Sequence, residues 1–430
     1  MKDSTQVEPG AQTPTRGLWG WAFYDWANSP YTTIIITFVF STYFAQGIVG
    51  DDIRGQVLWG YTASIAAFIV AIGSPLLGAF VDTGGPRKPL LALFTGICII
   101  GSWMLWYAEP NVNFVTWAMV WVVVATVGFE FGIVLNNAML GDIAPNKRIG
   151  RWSGWAYGLG YVGGLIAMAL ALVGFIQADK PLFGLNKDEA EHVRIVGPLV
   201  AIWFVLFVWP LFLWTPDRLK TRASIVERCS RGSAVLLQTL RDVRQHGNIA
   251  RFLVARMIYA DGLTTMFAFG GVYAAGTMKM ELSEVIKFGM VLNVTAGLGA
   301  IAFAWIDDWI GSKNTILVAL LGLLATAVAI ITVEDIHWFW VWGSLLGIFV
   351  GPSQAASRTL MVRLTPPDKL TEFFGLYALS GKATAFIGPA LVAVVTASMQ
   401  SQRWGLATIL AFWFLGLLLM ITVRESRSTS

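Results

Sequence analysis

Two cysteines and three histidines in 430 residues leave little room for several kinds of chemistry. Two thiols cannot build a disulfide scaffold, and Cys98 and Cys229 fall in unrelated segments, which argues against a redox pair. His192, His246 and His337 lie far apart and no metal-ligand spacing appears, so no metal is expected. Charged residues make up only 13% of the chain, against about 25% in soluble proteins. That deficit excludes a soluble globular domain, a disordered chain and a nucleic-acid module. No Walker sequence occurs, so ATP-driven transport by this chain alone is not expected. Gly158-Leu-Gly160-Tyr-Val-Gly163 matches the dinucleotide fingerprint by letter, but it sits inside an apolar run with no strand before it. Close helix packing explains those glycines better, and no cofactor is expected.

What is abundant is apolar surface: 56% hydrophobic residues, with 44 Gly and 20 Trp. A membrane-crossing helix needs about 20 apolar residues. Twelve such runs lie near 18–45, 57–80, 89–108, 114–138, 153–176, 195–214, 252–275, 286–306, 314–333, 338–361, 373–397 and 404–422. They are continuously apolar, whereas barrel strands would alternate over about 10 residues. The polar first sixteen residues are not followed by a short apolar stretch with a cleavage site, so no cleaved signal peptide is expected. Several Trp, such as Trp19, Trp59, Trp338 and Trp404, fall near run ends and read as interfacial anchors. Of the 30 Lys and Arg, 20 fall at one set of loop ends and 7 at the other. The positive-inside rule then places both termini in the cytoplasm, and the compact loops suggest a bacterial inner membrane.

Residues 215–250 are the most charged stretch of the chain. Ile225, Cys229, Leu236, Leu240 and Val243 recur there at helical spacing among basic residues. The segment reads as a cytoplasmic linker, either an amphipathic helix on an anionic leaflet or a solvated tether. It separates an N-terminal bundle (1–214) from a C-terminal one (251–430), and the two repeat each other. Asp82-Thr-Gly-Gly85-Pro-Arg87 follows the second run and Asp308-Trp-Ile-Gly311-Ser-Lys313 the eighth, offset by 226. Pro145, Arg148, Gly154 and Gly160 are matched at offset 221 by Pro366, Lys369, Gly375 and Gly381. Tyr24-Asp25 in the first run is echoed by Tyr259-Ala-Asp261 in the seventh. The expected fold is an all-α polytopic membrane protein, with twelve transmembrane helices in two pseudo-symmetric six-helix bundles. Parallel repeats of this kind occur among secondary transporters.

On these residues the chain resembles the major facilitator superfamily over nearly its whole length, the D-x-x-G-x-[RK] loops being similar to its cytoplasmic loop motif. Finer features are similar to the vacuole-effluxer-like branch: Tyr24-Asp25-Trp26-Ala27-Asn28-Ser29, Tyr259-Ala-Asp261-Gly262, Ser357-Arg358, Phe373-Phe374-Gly375-Leu376-Tyr377 and Gly388-Pro389. The superfamily motif usually carries a base directly after its Asp, where this chain has Thr83 and Trp309. The resemblance implies that helices one, four, seven and ten line a central cavity. Asp25, Glu130, Asp261 and Arg358 fall one on each.

A charge in the bilayer interior costs on the order of 3 kcal/mol, so such residues usually face a bundle interior or a wet cavity. Asp25, Asn28 and Thr32 form a polar stripe, Glu130 and Asn137 another, and Gln354 with Arg358 a third. Asp25, Asn28, Glu130, Asn137, Asp261 and Arg358 are therefore the candidates for substrate contact or proton coupling. Asp25 and Arg358 could equally serve a structural salt bridge. Snorkelling toward the headgroups is the default for Arg256 and Lys382. Asp82, Gly85, Arg87, Asp308, Gly311 and Lys313 are candidates for a cytoplasmic gate. There the two Asp would accept hydrogen bonds from the free N–H groups at a neighbouring helix start.

The reading is a secondary transporter, not an enzyme, moving a small polar or zwitterionic solute such as an amino acid by proton-coupled alternating access. The solute class leans on the resemblance. The partners expected are the solute, protons and the lipid bilayer, with no nucleic acid, and the chain is expected to act as a monomer. The rivals are an exporter of lipid or hydrophobic compounds and a non-transporting receptor or assembly factor.

Overall fold

A computed structural model describes residues 13–82, 85–218, 247–280 and 282–425. Water is scarce in hydrocarbon, so a crossing segment must satisfy its own N–H and C=O groups, and each apolar run does so as a helix. The first bundle holds α1 (Thr15–Val49), α2 (Asp52–Asp82), α3 (Lys88–Met104), α4 (Val115–Ile143), α5 (Ile149–Ala171) and α6 (Val196–Trp214). The second holds α7 (Gly247–Gly276), α8 (Leu282–Ile310), α9 (Ser312–Thr332), α10 (Ile336–Leu364), α11 (Leu370–Ser380 and Ile387–Met399) and α12 (Gln402–Thr422). Among the described residues, ten helices are long and apolar enough to cross a membrane by length and composition. The polar α10 and the divided α11 complete the twelve. Asp335 starts α10 by accepting from the amides of Trp338 and His337, which hold its carboxyl below the usual carboxylate range.

Two helices depart from the expected simple rods. After Pro30, α1 widens into π-helical turns over Tyr31–Phe38 and again over Phe44–Val49. Extra-wide turns of this kind often mark functional sites. The run read as one helix over 373–397 is two half-helices joined by turns over 381–386. The amphipathic helix weighed for the linker falls on 219–246, outside the described residues.

The bundles meet along two seams, α2 against the first half of α11 and α5 against α8. Small residues set both. A methyl group on Gly78 would lie 2.5 Å from the Glu372 Cα, and one on Gly375 2.5 Å from the Ser74 carbonyl. One on Gly154 would lie 2.6 Å from the Ala300 carbonyl. Gly160, Gly163 and Gly164 press on Ser29, Trp26 and Thr33 of α1, so the fingerprint-like glycines serve helix packing. All these seam contacts lie toward the end of the molecule where α1 begins and α12 finishes, here the near end. Toward the far end the bundles part around a cavity.

Candidate functional site

Arg358 of α10, six residues before the near end of its helix, links the two bundles. It is 1% exposed, and every group it touches belongs to the first bundle. Its Nη1 donates to Asp25 Oδ2 at 2.8 Å and to Asn137 Oδ1 at 3.3 Å. Its Nε and Nη2 donate to the Ser153 hydroxyl at 2.9 Å and to the Ser153 carbonyl at 2.7 Å. The guanidinium also stacks 4.3 Å from the Tyr157 ring and 4.9 Å from the Trp21 ring. A planar cation with a fixed fork of donors suits this role where an ammonium would not.

Beside this lock lies an inner cavity of about 280 Å³. Glu130 enters it from α4, Arg256 from α7, and Lys382 from the break in α11. Lys382 Nζ is 2.9 Å from Glu130 Oε1, a second ion pair between the bundles. Arg256 Nη1 donates to the Tyr377 carbonyl and to the Ser380 hydroxyl, both at 2.7 Å, with its cation 3.4 Å from the Tyr377 ring. The snorkelling expected of Arg256 and Lys382 is therefore overturned. The freed carbonyl end of a divided helix and a carboxylate across the seam offer cations more than the headgroups do. Asn137, Tyr157, Tyr259 and Gln354 line the same space.

Thr264, Phe267 and Gln354 belong to the walls of both this compartment and an outer cavity of about 470 Å³. The outer walls are mostly apolar, with Phe38, Phe288 and Trp413 among them, and Ser29, Thr32, Thr33 and Asn293 among the polar exceptions. A solute entering from the far end thus meets an apolar hall and then a charged floor.

Two candidates lie elsewhere. Asp261 is 3% exposed and lines neither cavity. Its carboxyl and the Thr265 hydroxyl face Gly388 in the second half of α11. Asn28 is buried, and its amide nitrogen finds no hydrogen-bond partner. The wide turns after Pro30 change the pitch of α1, so the stripe from Asp25 to Thr32 does not stay on one face. Of Asp25, Glu130, Asp261 and Arg358, expected around a single wet space, only Glu130 lines the inner cavity; Asp25 and Arg358 pair with each other beside it, and Asp261 faces α11.

At the near end the loop motifs hold the seams. Asp82 accepts from the Thr371 hydroxyl at 2.7 Å and from the Glu372 amide at 2.9 Å, at the start of α11. Asp308 accepts from the Arg151 amide at 3.2 Å, at the start of α5. A carboxylate at a helix start meets free N–H groups and the positive end of the dipole. Gly85 and Gly311 turn with φ of +132° and +92°, which a side chain would strain. Arg87 is fully buried; it pairs with Asp82 and Asp142 and donates to Thr371 at 2.9 Å.

Lys313 does not repeat Arg87. Its Nζ donates to the Ile421 carbonyl at 2.8 Å, as Lys88 does to the Phe212 carbonyl at 3.0 Å. The base of the second network is Arg363, paired with Asp307, Asp308 and Glu425. Arg363 stands at offset 221 from Asp142, so equivalent helix ends carry opposite charges. That offset was readable, but a register search for identical residues passes over it.

Asp82→Asn removes the charge from the two hydrogen bonds to α11 and from ion pairs with Arg87 and Arg218, each charged bond being worth about 1.5–3 kcal/mol. The near-end seam is expected to open about 10- to 100-fold more often. Maleimide labelling of a Ser74→Cys reporter, buried under Gly375, checks this: protection equal to that of unaltered Asp82 would contradict the gate.

The family described as "Vacuole effluxer Atg22 like" matches residues 47–151 and 146–430. The MFS-type transporter YxiO of Bacillus subtilis (strain 168) is 25% identical, covering 95% of this chain and 95% of that one. Autophagy-related protein 22-1 of Penicillium rubens is 25% identical over 88% of this chain and 77% of its own length. Among solved structures, the major facilitator transporter FucP in the outward conformation superposes with a TM-score of 0.74 at 13% identity, over 96% of this chain and 99% of that chain. The proton:xylose symporter XylE gives 0.71 at 12% identity, over 96% of each. At such identities the superpositions speak for the fold alone, two six-helix halves of the major facilitator type.

Proposed function

The chain belongs to the vacuole effluxer Atg22-like family of major facilitator transporters, and we propose on that premise that it carries a small zwitterionic solute by proton-coupled alternating access. It is a transporter rather than an enzyme. The observation that carries the solute class is the floor of the inner cavity, where one acid and two bases face the same space from three helices. Glu130 suits an ammonium group. Arg256 suits a carboxylate, as both Nη1 donors are engaged by the helix end while about three of the fork's five donors remain. Lys382 is the internal stand-in for the solute ammonium. A zwitterion entering the floor would take its place at Glu130 and free the break in α11. An amino acid carries both of these charges. The family's description as a vacuole effluxer supports efflux.

The excess of Lys and Arg supports a cytoplasmic near end, with both termini there. The cavity then faces outward, with Arg358 and the loop networks closing the cytoplasmic side. The bacterial relative that covers 95% of this chain supports a bacterial inner membrane. The apolar outer hall favours a second reading, transport of hydrophobic compounds.

Proteoliposome flux against amino acids, nucleosides, sugars and amphiphiles at imposed pH gradients separates the two. Saturable uptake of amino acids that collapses with the gradient is expected. Flux of amphiphiles alone would replace the first reading with the second.

A further inference from the structure

α11 is cut where it passes α7, and α7 holds both cut ends. The first half finishes at Ser380, where the Gly381 amide reaches the Tyr377 and Ala378 carbonyls and the chain leaves the helix in turns. Arg256 takes that end through the Tyr377 carbonyl and the Ser380 hydroxyl. The second half begins at Ile387, and the Gly388 amide belongs to its first turn, where N–H groups lack partners. Asp261 faces that amide. It is 3% exposed, and neither its oxygens nor the Thr265 hydroxyl finds a full hydrogen bond. A side chain at Gly388 would overlap the Thr265 hydroxyl, so glycine leaves both groups against the backbone. Along α7 the two charged residues are five apart, a rise of about 7.5 Å, and span the break. Each charge has the sign that stabilises its half-helix dipole.

We propose that α7 pins the two halves of α11 by their dipoles, and that a proton arriving at Asp261 releases the outer half, Ile387–Met399, to close over the cavity. The proposal rests on the transporter reading and adds a proton site outside the solute cavity. Asp261 acts as a positioning residue for the outer gate. No other charge competes at its level among the described residues. From α11 it is faced by Gly388, and its outer half carries no charged residue. From α12 comes the Trp413 indole, packed on Gly262, while the charged Arg403 lies at the far end of that helix. α10 directs Arg358 into the first bundle, and α8 bears Glu284 and Lys287 near its start and Asp307 and Asp308 near its finish. Lys382 is engaged by Glu130. With the carboxylate neutralised, Arg256 and the Lys382–Glu130 pair still hold the inner side of the break, and the inner half stays while the outer half is free.

The test uses the full chain in lipid nanodiscs, on a Cys229→Ser background. Spin labels go on Tyr61 of α2 and Val394 of the outer half of α11, both lipid-exposed. Lowering the pH from about 8 to about 5 is expected to raise the short-distance population roughly tenfold, within the usual range for coupled sites. Asp261→Asn is expected to show the low-pH distribution at both values. Asp261→Ser, smaller than the native side chain, is the second variant and is expected to do the same. A distribution in either folded variant that follows pH as the unaltered protein does overturns the proposal, as does an unaltered protein that ignores pH. Distances are read without solute. A pH response with no amino-acid flux would therefore sink the solute assignment and leave this one standing.

Discussion

Arg358→Leu is expected to destabilise the protein by about 3–5 kcal/mol, the usual penalty for leaving one member of a buried ion pair alone. Transport is expected to be lost with it. The stranded group is Asp25, and Ser153 and Asn137 lose their donor in the same step. Adding Asp25→Asn should recover part of the stability, because the pair is then removed together. Arg358→Lys should not rescue, since one ammonium cannot reach Asp25 and both Ser153 oxygens from between two rings. Chemical denaturation in detergent measures the first effect and proteoliposome flux the second. A leucine variant with unaltered stability and flux would show that the bundles do not depend on this lock.

Glu130→Gln is expected to weaken solute binding at least about 30-fold, in line with the roughly 2–5 kcal/mol lost when one partner of a charge pair is truncated. Its loss removes the proposed ammonium site and leaves Lys382 without its partner. The charge exchange Glu130→Lys with Lys382→Glu rebuilds the bridge but moves the acid from α4 to the break in α11. That double variant should regain stability and not solute affinity. Isothermal titration with amino acids measures affinity, and thermal denaturation measures the bridge. Native affinity in the glutamine variant would remove Glu130 from the floor.

The helices were legible because their cause is local. A run of apolar residues too long for a soluble core must satisfy its backbone within itself, wherever it sits. The division of α11 was only partly legible. Pro389 withholds the amide that a continuous helix would give the Ala385 carbonyl, yet Pro352 sits inside the unbroken α10. What makes the break tolerable is Arg256 and Asp261 on another helix, more than a hundred residues earlier. The stripe from Asp25 to Thr32 failed for a related reason, since it assumes a regular pitch that the π-helical turns after Pro30 abolish. The repeat was legible as recurring letters, and Asp82 and Asp308 both stand at helix starts. Its chemistry was not, because Arg87 is answered by Arg363 on a different helix rather than by Lys313.

Hydrophobicity, loop charge and duplicated spacing act residue by residue along the chain, and so the order of the amino acids alone determined a twelve-helix doubled membrane protein. Which buried charge meets which was decided only in three dimensions. Arg358 chose Asp25 across 333 positions and Lys382 chose Glu130 across the seam, while Asp261 was turned away from both. In a medium that solvates ions poorly, each charge is settled by the nearest group that can compensate it, and nearness there is a property of packed helices rather than of sequence.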